Sequence, residues 1–361
     1  MIYNDIRRKT KKITVGGIAI GGDAPIAIQS MTNTDTHDIK ATVEQIKLLA
    51  ERGCDIVRIT VPDIEAAKTI SAIKDNGVTV PIVADIHFDY KVALRCAELG
   101  VDKIRINPGN IGDDERVRAV CRACSAANIP IRIGVNGGSL EKNILAKYGA
   151  PTPEALCESA MYHISLLERY DFDNIIVSMK ASNPYNMILA NRLLAQKCDY
   201  PLHLGVTEAG SKEIGSIKSA IGIGSLLCDG IGDTIRVSLT DNPIEEIYAA
   251  KRIINSIGFE GQSGLQIVSC PKCGRTKINL ISLVEQFEKA AKVNGLLDIP
   301  IKVAIMGCAV NGPGEAREAD VGIAGGIGEA LLFKKGTIIQ KIPEDNLVST
   351  LINEIKKFKT N

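Results

Sequence analysis

The sequence of 361 residues lacks the features that mark several classes of protein. Its formal net charge is only +1, so no excess of one sign is present to attract nucleic acid or an acidic membrane surface. The basic first twelve residues lack the apolar core of a signal peptide, and no apolar run is long enough to span a bilayer. We therefore expect a cytoplasmic protein that binds neither nucleic acid nor membrane.

Two common phosphate-binding motifs are also missing. No GxGxxG follows the first apolar run, and the Walker A pattern GxxxxGK[ST] does not occur. The four histidines have no spacing that resembles a metal site. Any phosphate or metal site must therefore be built from other residues.

Eight short apolar runs alternate with helix-like segments in the first 258 residues, and several of these segments end in glycine, a common helix stop. Eight strand-plus-helix units in this length predict a (β/α)8 TIM barrel rather than a doubly wound open sheet. The preceding segment 12–25 predicts a hairpin that plugs the bottom of the barrel. The eight runs are 25–31, 56–60, 80–88, 103–109, 130–136, 175–182, 201–210 and 234–239.

The pattern changes after residue 258, where the Gly-rich segment 258–264 predicts a linker. A helix from about Ile278 to Asn294, a strand at 301–307 and a final helix from Pro343 predict a smaller α+β domain. We therefore predict a substrate-binding TIM barrel over 1–258 and a second domain over 259–361.

Five cations lie within or at the end of the predicted barrel strands, although buried parallel strands normally carry apolar residues. An unpaired buried cation is costly, so the five need a shared anionic partner or contact with water. The C-terminal mouth, where barrel ligands bind, supplies such a location. Polar residues follow two or four positions on, on the same face, and arginine bonds two phosphate oxygens at once. These observations predict a ligand with more than one phosphate; single cations could instead pair with helix carboxylates. The cations are Arg58, Arg105, Arg132, Lys180 and Arg236, and the polar residues include Thr60, Asn107, Asn136 and Ser238.

Two carboxylates are predicted at the same mouth. Asp85 lies at the end of the third run, and Glu208 lies just past the end of the seventh strand. A carboxylate among cations stays ionised and can accept a proton or orient a hydroxyl group. Each could instead form a structural salt bridge with a neighbouring arginine.

Ten cysteines are many for such a chain. Three of them, Cys270 and Cys273 in CPKCG and Cys308 in CAVNGPGE, are predicted metal ligands. The other seven have apolar or helical neighbours and are predicted to be small buried side chains. They are Cys54, Cys96, Cys121, Cys124, Cys157, Cys198 and Cys228.

A two-residue gap lets both sulfurs of CPKCG reach one metal, in zinc sites and iron–sulfur clusters alike. A structural zinc site would want a second such pair, which the chain lacks. Three thiolates with Glu315 as a weaker fourth ligand favour a [4Fe–4S] cluster that takes part in chemistry. The alternative is a structural zinc module on a phosphate-binding sensor or regulator.

Nine motifs together resemble the bacterial 4-hydroxy-3-methylbut-2-enyl diphosphate synthase family over nearly the whole chain. The resemblance implies an iron–sulfur oxidoreductase of isoprenoid biosynthesis. Its reaction opens, reduces and dehydrates 2-C-methyl-D-erythritol 2,4-cyclodiphosphate in the methylerythritol phosphate route. In order, the motifs are IVRITVP, ADIHF, KIRINPGN, RIGVNGGSL, VSMKASN, LGVTEAG, GIGDTIRVSL, CPKCGR and GCAVNGPGEA.

The resemblance also implies residue roles and partners. Electrons come singly from flavodoxin or ferredoxin, and a head-to-tail homodimer places the cluster domain of one subunit over the barrel of the other. Glu208 matches a carboxylate proposed as proton donor, and Asp85 matches another residue of the mouth. The implied ligands of the [4Fe–4S] cluster are Cys270, Cys273, Cys308 and Glu315. The implied substrate-binding residues are Arg58, Arg105, Asn107, Arg132, Asn136, Lys180, Arg236 and Ser238.

Overall fold

A computed structural model describes residues 3–258, 264–309 and 316–359. The chain divides into two compact units, with the boundary between Ile253 and Ile254. Most of the predicted linker and the predicted ligand Glu315 lie outside the described residues.

The first unit is a closed parallel barrel, which confirms the predicted (β/α)8 TIM barrel. Its strands are β3 (Ala27–Met31), β4 (Ile56–Thr60), β5 (Ile82–Asp85), β6 (Lys103–Ile106), β7 (Ile131–Asn136), β8 (Ile175–Lys180), β9 (His203–Leu204) and β10 (Thr234–Ile235). They are bonded in the order β8-β7-β6-β5-β4-β3-β10-β9. An isolated parallel bridge between Val177 and Leu202 completes the circle. Each of the eight predicted runs contains one of these strands.

A short antiparallel hairpin, β1 (Ile13–Val15) and β2 (Ile18–Ile20), precedes the barrel. Its apolar side chains are buried against residues at the N-terminal ends of four barrel strands, as predicted for a plug. The cluster consists of Ile13, Val15, Ile20, Ala27, Ile56, Val83 and Ile176.

Helices follow the barrel strands, and many begin at a side chain that accepts a hydrogen bond from a first-turn N–H group. Asp38, Asp63, Asp113 and Thr152 act in this way. No helix in the described ranges is long and apolar enough to cross a lipid bilayer. The helices of this part of the chain are α1 (Tyr3–Ile6), α2 (Ile39–Glu51), α3 (Ile64–Ala67), α4 (Thr69–Asp75), α5 (Tyr90–Glu98), α6 (Pro108–Ile111), α7 (Asp114–Ala126), α8 (Lys142–Tyr148), α9 (Pro153–Glu168), α10 (Pro184–Ala195), α11 (Lys212–Cys228) and α12 (Pro243–Ile257).

The described part of the second unit contains a mixed sheet and the helices α13 (Leu280–Val293) and α14 (Leu347–Lys359). The sheet strands are β11 (Gln266–Ser269), β12 (Lys302–Met306), β13 (Val321–Gly325), β14 (Glu329–Lys334) and β15 (Thr337–Pro343). The first three are parallel, and the last two continue the sheet in antiparallel fashion. Phe287 and Leu347 from the two helices are fully buried in its core.

The predicted start of the final helix is wrong. The final helix begins at Leu347 rather than at Pro343, because Pro343 still belongs to β15. Strands β13 to β15 were not predicted; β13 contains two glycines, and glycines also lie in the turns that follow β13 and β14. Gly322 is needed inside β13 because a side chain there would lie 2.4 Å from the ring of Phe333.

Candidate functional site

A polar cavity of about 260 Å³ lies at the C-terminal ends of the barrel strands. All eight residues predicted to bind substrate line it, and so does Asp85. They are Arg58, Arg105, Asn107, Arg132, Asn136, Lys180, Arg236 and Ser238. The barrel therefore gathers these residues from six separate strand–loop segments around one space.

Two glycines make room for the cations in this cavity. A side chain at Gly134 would lie 2.4 Å from Nε of Arg105, and one at Gly205 would lie 2.5 Å from the backbone oxygen of Arg236 and 2.9 Å from Nζ of Lys180. Because these contacts are shorter than real side chains tolerate, glycine at these positions lets the two cations lie across neighbouring strands. The sequence showed both glycines but not what they face.

Asp85 is the negative centre of the cavity and is almost fully buried. Nη1 of Arg105 lies 3.1 Å from one carboxylate oxygen, and Nε of Arg58 lies 3.5 Å from the other. Burial works to raise the pKa of Asp85, but the charges of Arg58 and Arg105 outweigh it, so this pKa lies below its ordinary value. Asp85 is therefore ionised and holds two arginines in place.

Arg58 makes further contacts with an unusual acceptor. Its Nη2 and Nε donate to the thioether sulfur of Met31 at 2.8 and 3.1 Å. A thioether is a weak acceptor, so these bonds orient the guanidinium group without competing strongly with an anion.

Arg132 carries a positive charge that little else in the barrel balances. Its side chain is only 1% exposed, and neither Nε nor Nη2 has a hydrogen-bond partner among the described residues. A guanidinium group stays protonated in proteins, so the cavity floor presents a buried charge with unused N–H donors. This arrangement is suited to a phosphate or other oxyanion.

Arg236 is held by a residue that the sequence did not single out, Glu246 of α12. The buried carboxylate of Glu246 lies 3.3 and 3.4 Å from two nitrogens of Arg236. It also accepts bonds from the N–H of Leu239 at 3.1 Å and the hydroxyl of Ser30 at 2.9 Å. An acidic residue in the first turn of a helix is normally a surface residue, so the sequence contained no signal for this contact.

Glu208 lies beside the cavity, next to the lining residue Thr207, but its own exposed side chain does not line it. Its φ angle is +51°, a left-handed conformation that costs a non-glycine residue roughly 1–2 kcal/mol. Such strain is typical of functional loops. The role of Glu208 as proton donor stays a prediction.

Several lining residues were missed. They come from loops after the strands or from mid-strand positions, where nothing in the local pattern distinguishes them from ordinary polar residues. Thr60, expected to face the cavity, does not line it, and its backbone oxygen accepts a bond from Thr36. The additional lining residues include His87, Asn110, Ser139, Ser178 and Thr207.

The predicted metal ligands lie on neighbouring loops of the second unit. Cys270 directly follows β11, and Cys308 lies two residues after the adjacent parallel strand β12. The N–H of Gly307 donates to Sγ of Cys270 at 3.3 Å, and the carbonyl of Gly307 accepts from Lys277 at 2.9 Å. These bonds join the two loops that carry the cysteines.

Cys273 lies on the exposed side of the same loop. Its N–H donates to Oγ1 of Thr276 at 3.2 Å, and a backbone hydrogen bond from Arg275 holds the pKa of the Cys273 thiol below its ordinary value. A lowered pKa favours the thiolate, which is the form that binds metals.

The donor set fits an iron–sulfur centre in its chemistry, with soft sulfur ligands and an N–H bond to one of them. Within 3–258, 264–309 and 316–359, no three His, Cys, Asp or Glu side chains form a group that could hold a metal ion. The fourth predicted ligand, Glu315, lies outside these ranges. The ligand set therefore stays a prediction.

The other seven cysteines were predicted to be buried, and two of them are not. Five are buried, whereas Cys198 is half-buried and Cys228 is exposed. The prediction is wrong for Cys228 because it is the last residue of α11, where the helix ends at the surface.

Two family models match the chain. Residues 10–251 match the GcpE TIM-barrel domain, and residues 266–357 match the GcpE protein C-terminal domain. The chain belongs to the GcpE family. Together the matches extend over both units, which confirms the family predicted from the motifs.

Named relatives of this GcpE-family chain agree with the predicted activity. It is 58% identical to a 4-hydroxy-3-methylbut-2-en-1-yl diphosphate synthase (flavodoxin) of Ruminiclostridium cellulolyticum, over 98% of each chain. It is 57% identical to the enzyme of the same name from Clostridium perfringens, over 97% of this chain and 99% of the relative. The names of both relatives include the product that the sequence resemblance predicts.

The chain also has a distant likeness to solved structures of other proteins. A dihydropteroate synthase from Stenotrophomonas maltophilia covers 67% of this chain and 96% of its own, at 15% identity and a TM-score of 0.49. A likeness at this level says nothing about activity.

Replacing Glu246 by glutamine in this GcpE-family chain is expected to weaken diphosphate binding about tenfold, the effect of losing one charge-assisted hydrogen bond. Glutamine can still bond Ser30 and Leu239 but cannot hold Arg236 by charge. Titration calorimetry with inorganic diphosphate measures the change. The matched control is Glu245→Gln, on the same turn, whose partner is Lys212. Equal affinities of the two variants would show that Glu246 does not position Arg236.

Proposed function

We propose that this chain converts 2-C-methyl-D-erythritol 2,4-cyclodiphosphate to 4-hydroxy-3-methylbut-2-enyl diphosphate by reductive ring opening and dehydration. The relatives named for this product match the chain over nearly its full length. The observation that carries the proposal is the cavity, where Arg132 offers unused donors beside four other cations. A phosphate-binding sensor with a structural zinc module is not supported by these relatives.

Charge accounts for diphosphate binding. The four arginines of the cavity face two carboxylates, Asp85 and Glu246, so the site keeps a net positive charge even without a charge on Lys180. Arginine forks bind phosphate oxygens in pairs, and the buried position of Arg132 strengthens each bond. Asn107, Asn136 and Ser238 supply neutral hydrogen-bonding groups around the same space. The phosphates are thus the part of the ligand that these residues hold.

Two carboxylates have different roles in this proposal. Asp85 is buried, ionised and occupied by two arginines, so it orients Arg58 and Arg105. Glu208 is exposed at the rim and is the proton donor. The overall reaction takes up two electrons and two protons and releases one water.

A [4Fe–4S] cluster is the proposed cofactor, held by Cys270, Cys273, Cys308 and Glu315. When bound, such a cluster supplies the electrons one at a time. Flavodoxin, present in the relatives' names, or ferredoxin is the proposed donor. We also propose a cytoplasmic homodimer, with a barrel domain over 1–258 and a cluster domain over 259–361.

An anaerobic assay with the cyclic diphosphate and reduced flavodoxin tests this function. The expected result is formation of the linear diphosphate by brown protein with close to four irons and four sulfides per chain. Colourless protein with one zinc and no turnover would establish the sensor instead.

Exchanging Glu208 for glutamine is expected to reduce kcat about 100-fold or more, since a positioned proton donor contributes about 10²–10⁴-fold. The affinity for the cyclic diphosphate should stay within about twofold because Glu208 does not line the cavity. Steady-state kinetics and calorimetry measure the two effects. Glu213→Gln, a change in the first turn of α11, is the control. An unchanged kcat would assign the proton to another group.

A further inference from the structure

A lysine lies inside the barrel beneath the cavity. Lys103 of β6 is completely buried and points to the same side of the strand as Arg105, two residues closer to the mouth. Its register partner on β5 is Val83, a member of the apolar cluster around the hairpin plug. Lys103 therefore lies at the level of the apolar floor, below the residues that bind substrate.

The amine of Lys103 has few described partners that could stabilise a positive charge on it. Its one hydrogen bond among the described residues runs to Oε1 of Gln29, on the far side of the barrel, at 3.4 Å. No described carboxylate lies within 4.0 Å of it. Burial, followed by the positive charges of Arg132 and Arg58, holds the pKa of Lys103 well below its ordinary value.

We propose that Lys103 is a neutral amine when the cavity holds no ligand and takes up one proton when a diphosphate binds above it. The inference rests on the diphosphate binding of the proposed function. Arg132 and Arg58 repel a proton at Lys103 while no anion is present. A diphosphate bound by the same arginines brings at least two negative charges, which cancel that repulsion and stabilise the ammonium form. The proton comes from solvent, one N–H bond forms, and no electron is transferred.

Few other groups near Lys103 change protonation. The guanidinium groups stay charged, and Asp85 stays ionised among its arginines. Lys180 and His203 are the competing acceptors, because burial first and neighbouring cations second hold both pKa values well below their ordinary range. The charged and titratable residues around the barrel interior and the cavity are Arg58, Asp85, His87, Arg105, Arg132, Lys180, His203, Arg236 and Glu246.

The proton also fits the chemistry of the proposed reaction. In the cyclic diphosphate each phosphorus carries one ionised oxygen, and neither titrates near neutral pH. Ring opening creates a terminal phosphate whose further ionisation lies at a pKa of about 6, so the ligand gains negative charge. A protonated Lys103 balances part of this negative charge. Because Lys103 is neutral when no ligand is bound, the unliganded core does not have to hold this additional positive charge.

Calorimetry of the oxidised holoenzyme, purified anaerobically and given no electron donor, tests the proposal. The cyclic diphosphate is titrated at one pH in buffers of different ionisation enthalpy, so that the heat reveals the number of protons bound. Wild-type protein should take up close to one proton per site. Its affinity should fall about tenfold per pH unit between the pKa values of free and liganded Lys103, because ligand and proton bind together.

Lys103→Met and Lys103→Gln should each lose most of the uptake and flatten the pH dependence. Both replace a neutral buried amine by a neutral side chain of similar length, so thermal unfolding should show intact folding. His203→Asn is the control and should keep the uptake, since its main contact is with Thr234.

The outcomes separate the two proposals. Binding without proton uptake by the wild type overturns the role of Lys103 and leaves the proposed function standing. Uptake that persists in both Lys103 variants also overturns it and points to Lys180 or His203. No binding of the cyclic diphosphate at all contradicts the proposed function itself, and this inference falls with it.

Discussion

Arg132→Met is expected to make the ligand-free protein more stable while it removes most of the affinity for the cyclic diphosphate. The side chain is 1% exposed and keeps two nitrogens without partners among the described residues. Asp85 compensates this charge only in part, because it is already paired with Arg105 and Arg58. Replacing a buried charge by an apolar side chain of similar volume typically adds about 1–4 kcal/mol to the free energy of unfolding.

The affinity changes in the opposite direction. Two charge-assisted bonds to phosphate, at about 1.5–3 kcal/mol each, correspond to a loss of a hundredfold or more. Urea unfolding measures the first effect, and calorimetry with the cyclic diphosphate measures the second. Arg122→Met, on the exposed face of α7, is the control and should alter neither by much. A variant that is less stable yet binds normally would show that Arg132 is a structural residue.

Cys308→Ser is expected to give the complementary result, in which the diphosphate binds but turnover is lost. A serine hydroxyl is a poor replacement for a thiolate, so iron and sulfide content should fall sharply. Mutation of a residue that hydrogen-bonds to a metal ligand typically lowers activity by up to about 100-fold. Loss of a ligand itself should lower turnover by more than this. Affinity for the cyclic diphosphate should stay unchanged, because all the described residues that line the cavity belong to the first unit.

Iron and sulfide analysis, visible absorption and the anaerobic assay measure these effects. Cys228→Ser is the matched control, since Cys228 is exposed at the end of α11 and outside the predicted ligand set. It should keep its colour and its activity. Full iron content in Cys308→Ser would remove Cys308 from the set of ligands.

Much of the barrel could be predicted from local pattern. Apolar runs of strand length, separated by helix-like segments, reveal eight βα units because each unit is short and repeats the same order. The second unit was predicted less well. Gly322 weakens the strand pattern of β13, and its role depends on Phe333 of β14, which packs against it. Such a requirement is invisible until the strands are paired.

The residues of the cavity, too, could be predicted from the sequence only in part. Cations within apolar runs are a strong signal, because burial makes them costly unless a ligand or the site itself compensates them. That signal led to Arg58, Arg105, Arg132, Lys180 and Arg236, all of which line the cavity. Side chains that support these cations carried no such signal. Glu246 resembled a surface residue of a helix, and Met31 resembled an ordinary core residue.

Sequence alone determined the family, the kind of barrel and the chemical types that meet at its mouth, since these depend on residue order and on local periodicity. Only the tertiary structure decided which groups support them: the carboxylate of Glu246 behind Arg236, the sulfur of Met31 against Arg58, and the amine of Lys103 beneath Arg132. The physical reason is that electrostatic and steric effects depend on distance in space. Closing the sheet into a barrel brings together strands that are far apart in the chain.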